Sequence, residues 1–213
     1  KGRVFLNQIL ALEKGDWNEA ASFSVEKGNL TIHLSDKSKT NLKNKEKFIG
    51  YSGTKENPDK ILLKNNYLHL EINIDAKHVI GKDDKANISD IIIESAISTI
   101  MDLEDSVAAV DAGDKIRCYR NWLGIMTGDL QAEMSKNGKK FFRKLNSNRE
   151  YLDGKDKKIS LHGRSLILVR NVGHLMTNSS VILDDGSEIP EGIMDAFITV
   201  LCAMHDFKNK LNS

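Results

Sequence analysis

A short apolar run that turns abruptly acidic, Thr99-Ile100-Met101-Asp102-Leu103-Glu104-Asp105-Ser106, does most to limit what this chain can fold into. Its β-branched and apolar start reads as a buried strand, and its carboxylates fall where that strand ends. If the backbone is still extended at Asp102 and Glu104, two residues apart, both carboxylates leave one face of a sheet. Carboxylates at the carboxyl end of a strand are where α/β enzymes usually place their chemistry. A plainer alternative has Glu104, Asp105 and Ser106 capping the helix that follows, since acids and hydroxyls bind its free N–H groups and oppose its dipole.

A second run of the same kind, Leu166-Ile167-Leu168-Val169, ends in Arg170-Asn171-Val172-Gly173-His174, so a cation closes this buried strand where acids close the other. Placing a guanidinium there is costly unless it meets carboxylates. A long helix is expected from about Val110 to Gly124, and a final helix opening at Pro190, with Ile193, Phe197, Ile198 and Leu201 as its core stripe. Met194 and Met204 read as packing, and His205 as a complement to the helix C-terminus.

The earlier part follows other rules. Helical spacing from Val4 to Leu12 runs into a Glu13-Lys14-Gly15-Asp16 stop. Residues 22–34 read as two strands joined at Glu26-Lys27-Gly28, and residues 61–74 as a hairpin turning at Asn65-Asn66. In its second strand Leu68, Leu70, Ile72 and Ile74 point inward and His69, Glu71 and Asn73 outward. His33 and His69 are expected on sheet surfaces rather than as ligands. Residues 35–60, rich in Lys, Asn, Ser and Gly, read as loops over a sheet edge. Residues 88–97 read as a helix capped by Ser89, and residues 139–146 and 159–161 as strands facing each other across a charged turn.

Charge excludes some functions. With 31 Lys and Arg against 30 Asp and Glu, nothing marks a nucleic-acid surface, and the basic runs at 136–144 and 155–158 read as solvated turns. No stretch has the apolar length of a membrane span and the start has no signal-peptide pattern, so a cytoplasmic protein is expected. Cys118 and Cys202 lack any close pairing and read as reduced, partly buried thiols.

The two strand ends, together with Tyr119-Arg120-Asn121-Trp122-Leu123-Gly124 between them, resemble the malate synthases, in particular their long G isoform. The likeness is dense from Ile88 to Lys208 and looser before it. It implies an α/β chain in two bodies: an inserted α+β domain with antiparallel strands (1–94 and 128–164) and two βα units of an incomplete TIM barrel (95–127 and 165–213). Two βα units cannot close a barrel of eight, so the chain is expected to be a middle portion of a longer enzyme. The implied reaction condenses acetyl-CoA with glyoxylate and water to give malate and CoA, with magnesium holding the glyoxylate. Arg170 matches the family's catalytic arginine, Asp102 and Glu104 the acidic pair beside it, and Ser106 and Arg143 positions that bind acetyl-CoA.

The family's catalytic base and metal ligands match nothing in this chain, and Asp111, Asp195 and Asp206 do not replace them by motif. The resemblance therefore implies magnesium in the full-length enzyme and no metal on this chain, which by itself should be inactive. It also implies a monomeric full-length enzyme with no membrane or nucleic-acid partner. Two other classes share parts of the pattern: a free-standing protein-interaction module, and a magnesium-dependent carbon–carbon lyase of the citrate-lyase kind. The Arg120–Gly124 run and the long stretch before the acidic strand favour malate synthase over the lyase.

Overall fold

A computed structural model describes residues 2–94 and 98–209, the last two by their backbone only. It is mixed α and β, with mostly antiparallel strands and three α-helices, and it separates into two compact units, Lys1–Ala96 with Asn148–Gly163 and Ile97–Ser147 with Arg164–Ser213.

The first unit opens with α1 (Gly2–Ile9) and a three-stranded antiparallel sheet, β1 (Ala20–Glu26), β2 (Asn29–Leu34) and β3 (Lys39–Asn41). The β1–β2 turn uses Lys27 and Gly28, both at positive φ, the geometry whose twist matches paired strands. A six-stranded antiparallel sheet follows. It contains β4 (Phe48–Gly53), β5 (Pro58–Asn65), β6 (Leu68–Ile74), β7 (Ile88–Ile93), β11 (Arg149–Leu152) and β12 (Lys158–Leu161), in the order β12-β11-β4-β5-β6-β7. The core gathers Leu6 of α1, Leu10 just past its end, Trp17, Phe23, Ile32, Ile61, Leu63, Leu70 and Ile72. The Trp17 indole donates to the Leu10 carbonyl oxygen at 2.6 Å, so its polar edge is satisfied while its rings fill the centre.

Three expectations change here. Residues 88–93 form a strand, because four β-branched isoleucines beside an unpaired β6 edge gain more from the ladder than from a helix. Ser89 is accordingly no cap, and its hydroxyl donates to the Asn73 carbonyl oxygen at 3.1 Å. Ser95, Ala96 and Ile97 of the expected helix lie outside the described residues. Residues 48–53 are an interior strand rather than a loop, with Gly50 where a Cβ would stand 2.6 Å from the Leu152 carbonyl oxygen of the neighbouring β11. Glu71 points inward and is 1% exposed. Its carboxylate accepts from the Tyr151 hydroxyl and pairs with Lys60 at 2.9 Å. Burial pushes the Glu71 carboxyl up, but the hydrogen bonds from Tyr151 and Lys60 outweigh it and hold it below its ordinary value. His69, expected to point outward, is half-buried with its Nδ1 2.9 Å from Glu94, and His33 meets the Ser24 hydroxyl at 2.8 Å.

The second unit begins with β8 (Ser98–Asp102) and α2 (Ala112–Thr127), then a hairpin of β9 (Gln131–Lys136) and β10 (Lys139–Lys144). After β13 (Leu166–Arg170) come β14 (Thr177–Ile182), β15 (Glu188–Pro190) and α3 (Glu191–Asn209). The strands β8 and β13 pair in parallel, and Met101, Ile167 and Val169 on one of their faces pack against Trp122, Met126, Ile198 and Cys202 of α2 and α3. Their other face is open, with Ile100, Leu166 and Leu168 about half exposed or more, so these are not the fully buried strands expected. Residues 139–144 pair with β9 through an Asn137-Gly138 turn instead of facing 159–161, whose partner is β11. This hairpin groups with the second unit, whereas the sequence reading assigned residues 128–164 to the first.

Of the core stripe expected for α3, only Ile198 packs inward. Asp195, Thr199 and Cys202 are buried, while Ile193, Phe197 and Leu201 are exposed. The helix is apolar nearly all round, and the polar groups α2 offers decide which side turns in. Cys118 and Cys202 are both free and buried.

Arg3 ties the first unit together. It holds Asp84 through two hydrogen bonds of 2.8 and 2.7 Å and donates to the carbonyl oxygens of Trp17 and Ala20. Burial raises the Asp84 carboxyl, but Arg3 and the amides of Ile88 and Ala86 overcome it and keep it below its ordinary value. The stabilisation is therefore complete above the ordinary aspartate range and is lost as pH falls through the lowered value. Asp84→Asn should cost about 2–3 kcal/mol at neutral pH, short of the full penalty for a dry pair because Asp84 keeps some solvent contact. Urea midpoints taken from about pH 7 to about pH 3 should show the gap from wild type closing in acid.

Candidate functional site

The parallel register of β8 and β13 sets Asp102 directly beside Arg170, the last residue of each strand. The Arg170 Nε donates to Asp102 Oδ1 at 2.9 Å and Nη2 to Asp102 Oδ2 at 2.6 Å, a bidentate fork. The same Nη2 reaches Asp105 Oδ2 at 2.6 Å. Beyond Asp102 the chain bends rather than continuing extended, and Asp102 Oδ1 accepts the amides of Glu104 and Asp105 at 3.0 and 3.3 Å. Glu104 thus does not share a strand face with Asp102, and its carboxylate stays 3.9 Å from Arg170 Nε. Asp105 takes the closer place, as an aspartate three residues on in a tight turn can.

Ser106 joins the cluster by donating its hydroxyl to Asp102 Oδ2 at 3.1 Å. None of Glu104, Asp105 and Ser106 caps the following helix, since Asp111 holds that position and accepts the Asp114 amide at 2.8 Å. The hydrogen bond from Arg170, reinforced by those two amides and Ser106, holds the Asp102 carboxyl far below the ordinary carboxylate range. Arg170 is correspondingly locked as a cation by Asp102 and Asp105. It remains 46% exposed, and among the described residues none accepts a hydrogen bond from its Nη1. Arg143 takes no part. It stands exposed on β10 opposite Ala132, with no carboxylate partner among the described residues.

The Tyr119–Gly124 run is a packing device. Trp122 donates its indole N–H to the Thr199 carbonyl oxygen at 2.9 Å, and the Gly124 carbonyl oxygen accepts the amides of residues 128–130 where Gly128 ends the helix at φ 86°. Tyr119 belongs to a buried cluster that the sequence reading missed. Lys115 Nζ lies 2.8 Å from Asp195 and 2.6 Å from Glu191, and the Tyr119 hydroxyl donates to Asp195 at 2.5 Å. Pairings across some eighty residues leave no local signal, so only the topology reveals them.

Magnesium needs a near-octahedral set of oxygen ligands. Both Asp102 oxygens are committed to Arg170 and local donors, and among the described residues no three His, Cys, Asp or Glu side chains converge as a metal site. The residues present do not fit the ion. No helix among them is long and apolar enough to cross a membrane.

One unit with antiparallel sheets, and another in which two parallel strands close an arginine between carboxylates at their ends, define a segment of an α/β protein. The family model "Malate synthase G, alpha-beta insertion domain" matches residues 1–65. Malate synthase G of Corynebacterium glutamicum is 50% identical over 203 residues, and that of Corynebacterium efficiens 49% identical over 203, each covering 95% of this chain. That of Halalkalibacterium halodurans is 48% identical over 202 residues. The chain belongs to the malate synthase G family and spans 27–28% of the length of these relatives.

The clamp on Asp102 can be tested by titration. Followed by carboxyl carbon NMR, Asp102 should stay ionised at pH values where ordinary aspartates, near 3.8, have taken up a proton. In Arg170→Met its titration should move up toward that ordinary value.

Proposed function

We propose that this chain supplies the arginine-bearing edge of the active site in a longer malate synthase, which condenses acetyl-CoA with glyoxylate and hydrolyses the resulting thioester to malate and CoA. The observation that carries this reading is the state of Arg170. Its Nε and Nη2 are gripped by Asp102 and Asp105, while among the described residues Nη1 has no acceptor and the side chain is half exposed at the carboxyl ends of two parallel strands.

Removing a proton from the acetyl methyl group makes an enolate, whose carbon attacks the aldehyde carbon of glyoxylate and leaves negative charge on the aldehyde oxygen. A fixed guanidinium meets that charge without having to reorganise, which is where electrostatic catalysis gains most. The fork geometry serves better than an ammonium, since one edge binds carboxylates while the other faces substrate. Asp102 and Asp105 orient Arg170, and Glu104, the other member of the expected acidic pair, lies beside them at 3.9 Å. Ser106 and the exposed Arg143 are assigned to acetyl-CoA, Arg143 suiting a phosphate of the coenzyme. The catalytic base and the ligands for magnesium come from elsewhere in the full-length enzyme, which works as a cytoplasmic monomer.

Two outcomes test the proposal. The purified chain should release no CoA from acetyl-CoA and glyoxylate, with or without magnesium. In the full-length enzyme, Arg170→Lys should lose turnover about a hundredfold or more while acetyl-CoA affinity is retained, as for loss of one oxyanion-stabilising donor. Near-normal turnover with lowered thermal stability would make Arg170 a structural ion-pair partner instead.

A further inference from the structure

Asp195 is fully buried in the first turns of α3, yet its contacts reach beyond the helix pair. One carboxylate oxygen takes Lys115 Nζ at 2.8 Å and the Tyr119 hydroxyl at 2.5 Å, both from α2. The other accepts the backbone amide of Val172 at 3.0 Å, two residues past Arg170. A second contact presses the same point: at Gly192 any Cβ would overlap the Val172 carbonyl oxygen, so the start of α3 lies flush against that peptide. A third closes the strap, as the Glu191 amide donates to the Met176 carbonyl oxygen at 2.8 Å. On its far side the segment meets the acidic turn, where a Cβ on Gly173 would stand 3.1 Å from Glu104 Oε1.

Packing α2 on α3 does not require this arrangement. A buried ammonium with two carboxylates is often no better for stability than apolar side chains of the same volume, and such groups are better explained by what they fix in place. Here the fixed object is a main-chain amide outside both helices. We infer that Asp195, braced by Lys115 and Tyr119, is a positioning residue for Arg170: it pins the exit of β13 and so sets how far the guanidinium projects past the strand ends. Asp195 touches no substrate in this arrangement and acts only through residues 170–172. The inference rests on the reading of Arg170 as the group that meets glyoxylate.

The test uses the full-length enzyme with Arg170→Lys, Asp195→Asn, Tyr119→Phe and the Arg170→Lys/Asp195→Asn double variant, each checked for native circular dichroism. Asp195→Asn should lose turnover about tenfold with the acetyl-CoA KM within about twofold of wild type, and Tyr119→Phe should lose about threefold. Because Asp195 works through Arg170, the double variant should fall little below Arg170→Lys alone. Wild-type turnover in folded Asp195→Asn, or losses that simply multiply in the double variant, would overturn the inference while leaving the role of Arg170 intact. If Asp195→Asn does not fold, Tyr119→Phe decides: full turnover there overturns the inference, and a selective loss supports it. Undiminished turnover in Arg170→Lys would instead remove the functional reading, and this inference with it.

Discussion

One hydrogen-bonding register governs the second unit of this chain. Parallel strands place residues of equal depth side by side, so aligning Ile100 with Leu168 also aligns Asp102 with Arg170. Slipping the pair by one residue would turn each side chain to the opposite face. The apolar contacts under Met101, Ile167 and Val169 would be lost together with the ion pair. Packing and charge therefore select the same register: with Met101, Ile167 and Val169 turned into the helices, Asp102 and Arg170 are left on the opposite, open face.

Buried charge is handled alike in both units. Asp84 is met by Arg3 and two amides, Glu71 by Tyr151 and Lys60, and Asp195 by Lys115, Tyr119 and an amide. Each carboxylate has donors for both oxygens, the condition under which an ionised group tolerates burial. The donors come from distant sequence, so each cluster also records which elements must meet.

Much of this could be read from residue order where local rules suffice. Lys27-Gly28 announces its hairpin, the helical spacing from Val110 locates α2 although the helix runs past the expected Gly124 to Thr127, and the two strands that close on Asp102 and Arg170 are plain in their apolar runs. The reading failed where a decision belongs to the neighbour. Ile88–Ile93 fits helical and extended spacing alike, and the free edge of β6 settles it. The sides of α3 are similarly apolar, and Lys115 with Tyr119 on α2 chooses the one bearing Asp195. The β9–β10 hairpin is a different case: Asn137-Gly138 is a strong turn signal, but every residue of its strands is exposed, so no buried face marks them. At the site, Asp105 reaches Arg170 only because the chain bends after Asp102, and residue order alone does not show that bend.

The interleaving of the two units has a consequence during synthesis. Strands β11 and β12 complete the sheet begun by β4, and the Tyr151 hydroxyl that satisfies Glu71 arrives 80 residues after it. A ribosome adding about 5–20 residues per second leaves Glu71 without that donor for roughly 4–16 s. Throughout that interval the outer edge of β4 is an open ladder, and β8, α2 and the β9–β10 hairpin emerge first. The nascent sheet must wait for a strand that the second unit has been threaded in front of, which makes this edge the natural place for a chaperone to be needed.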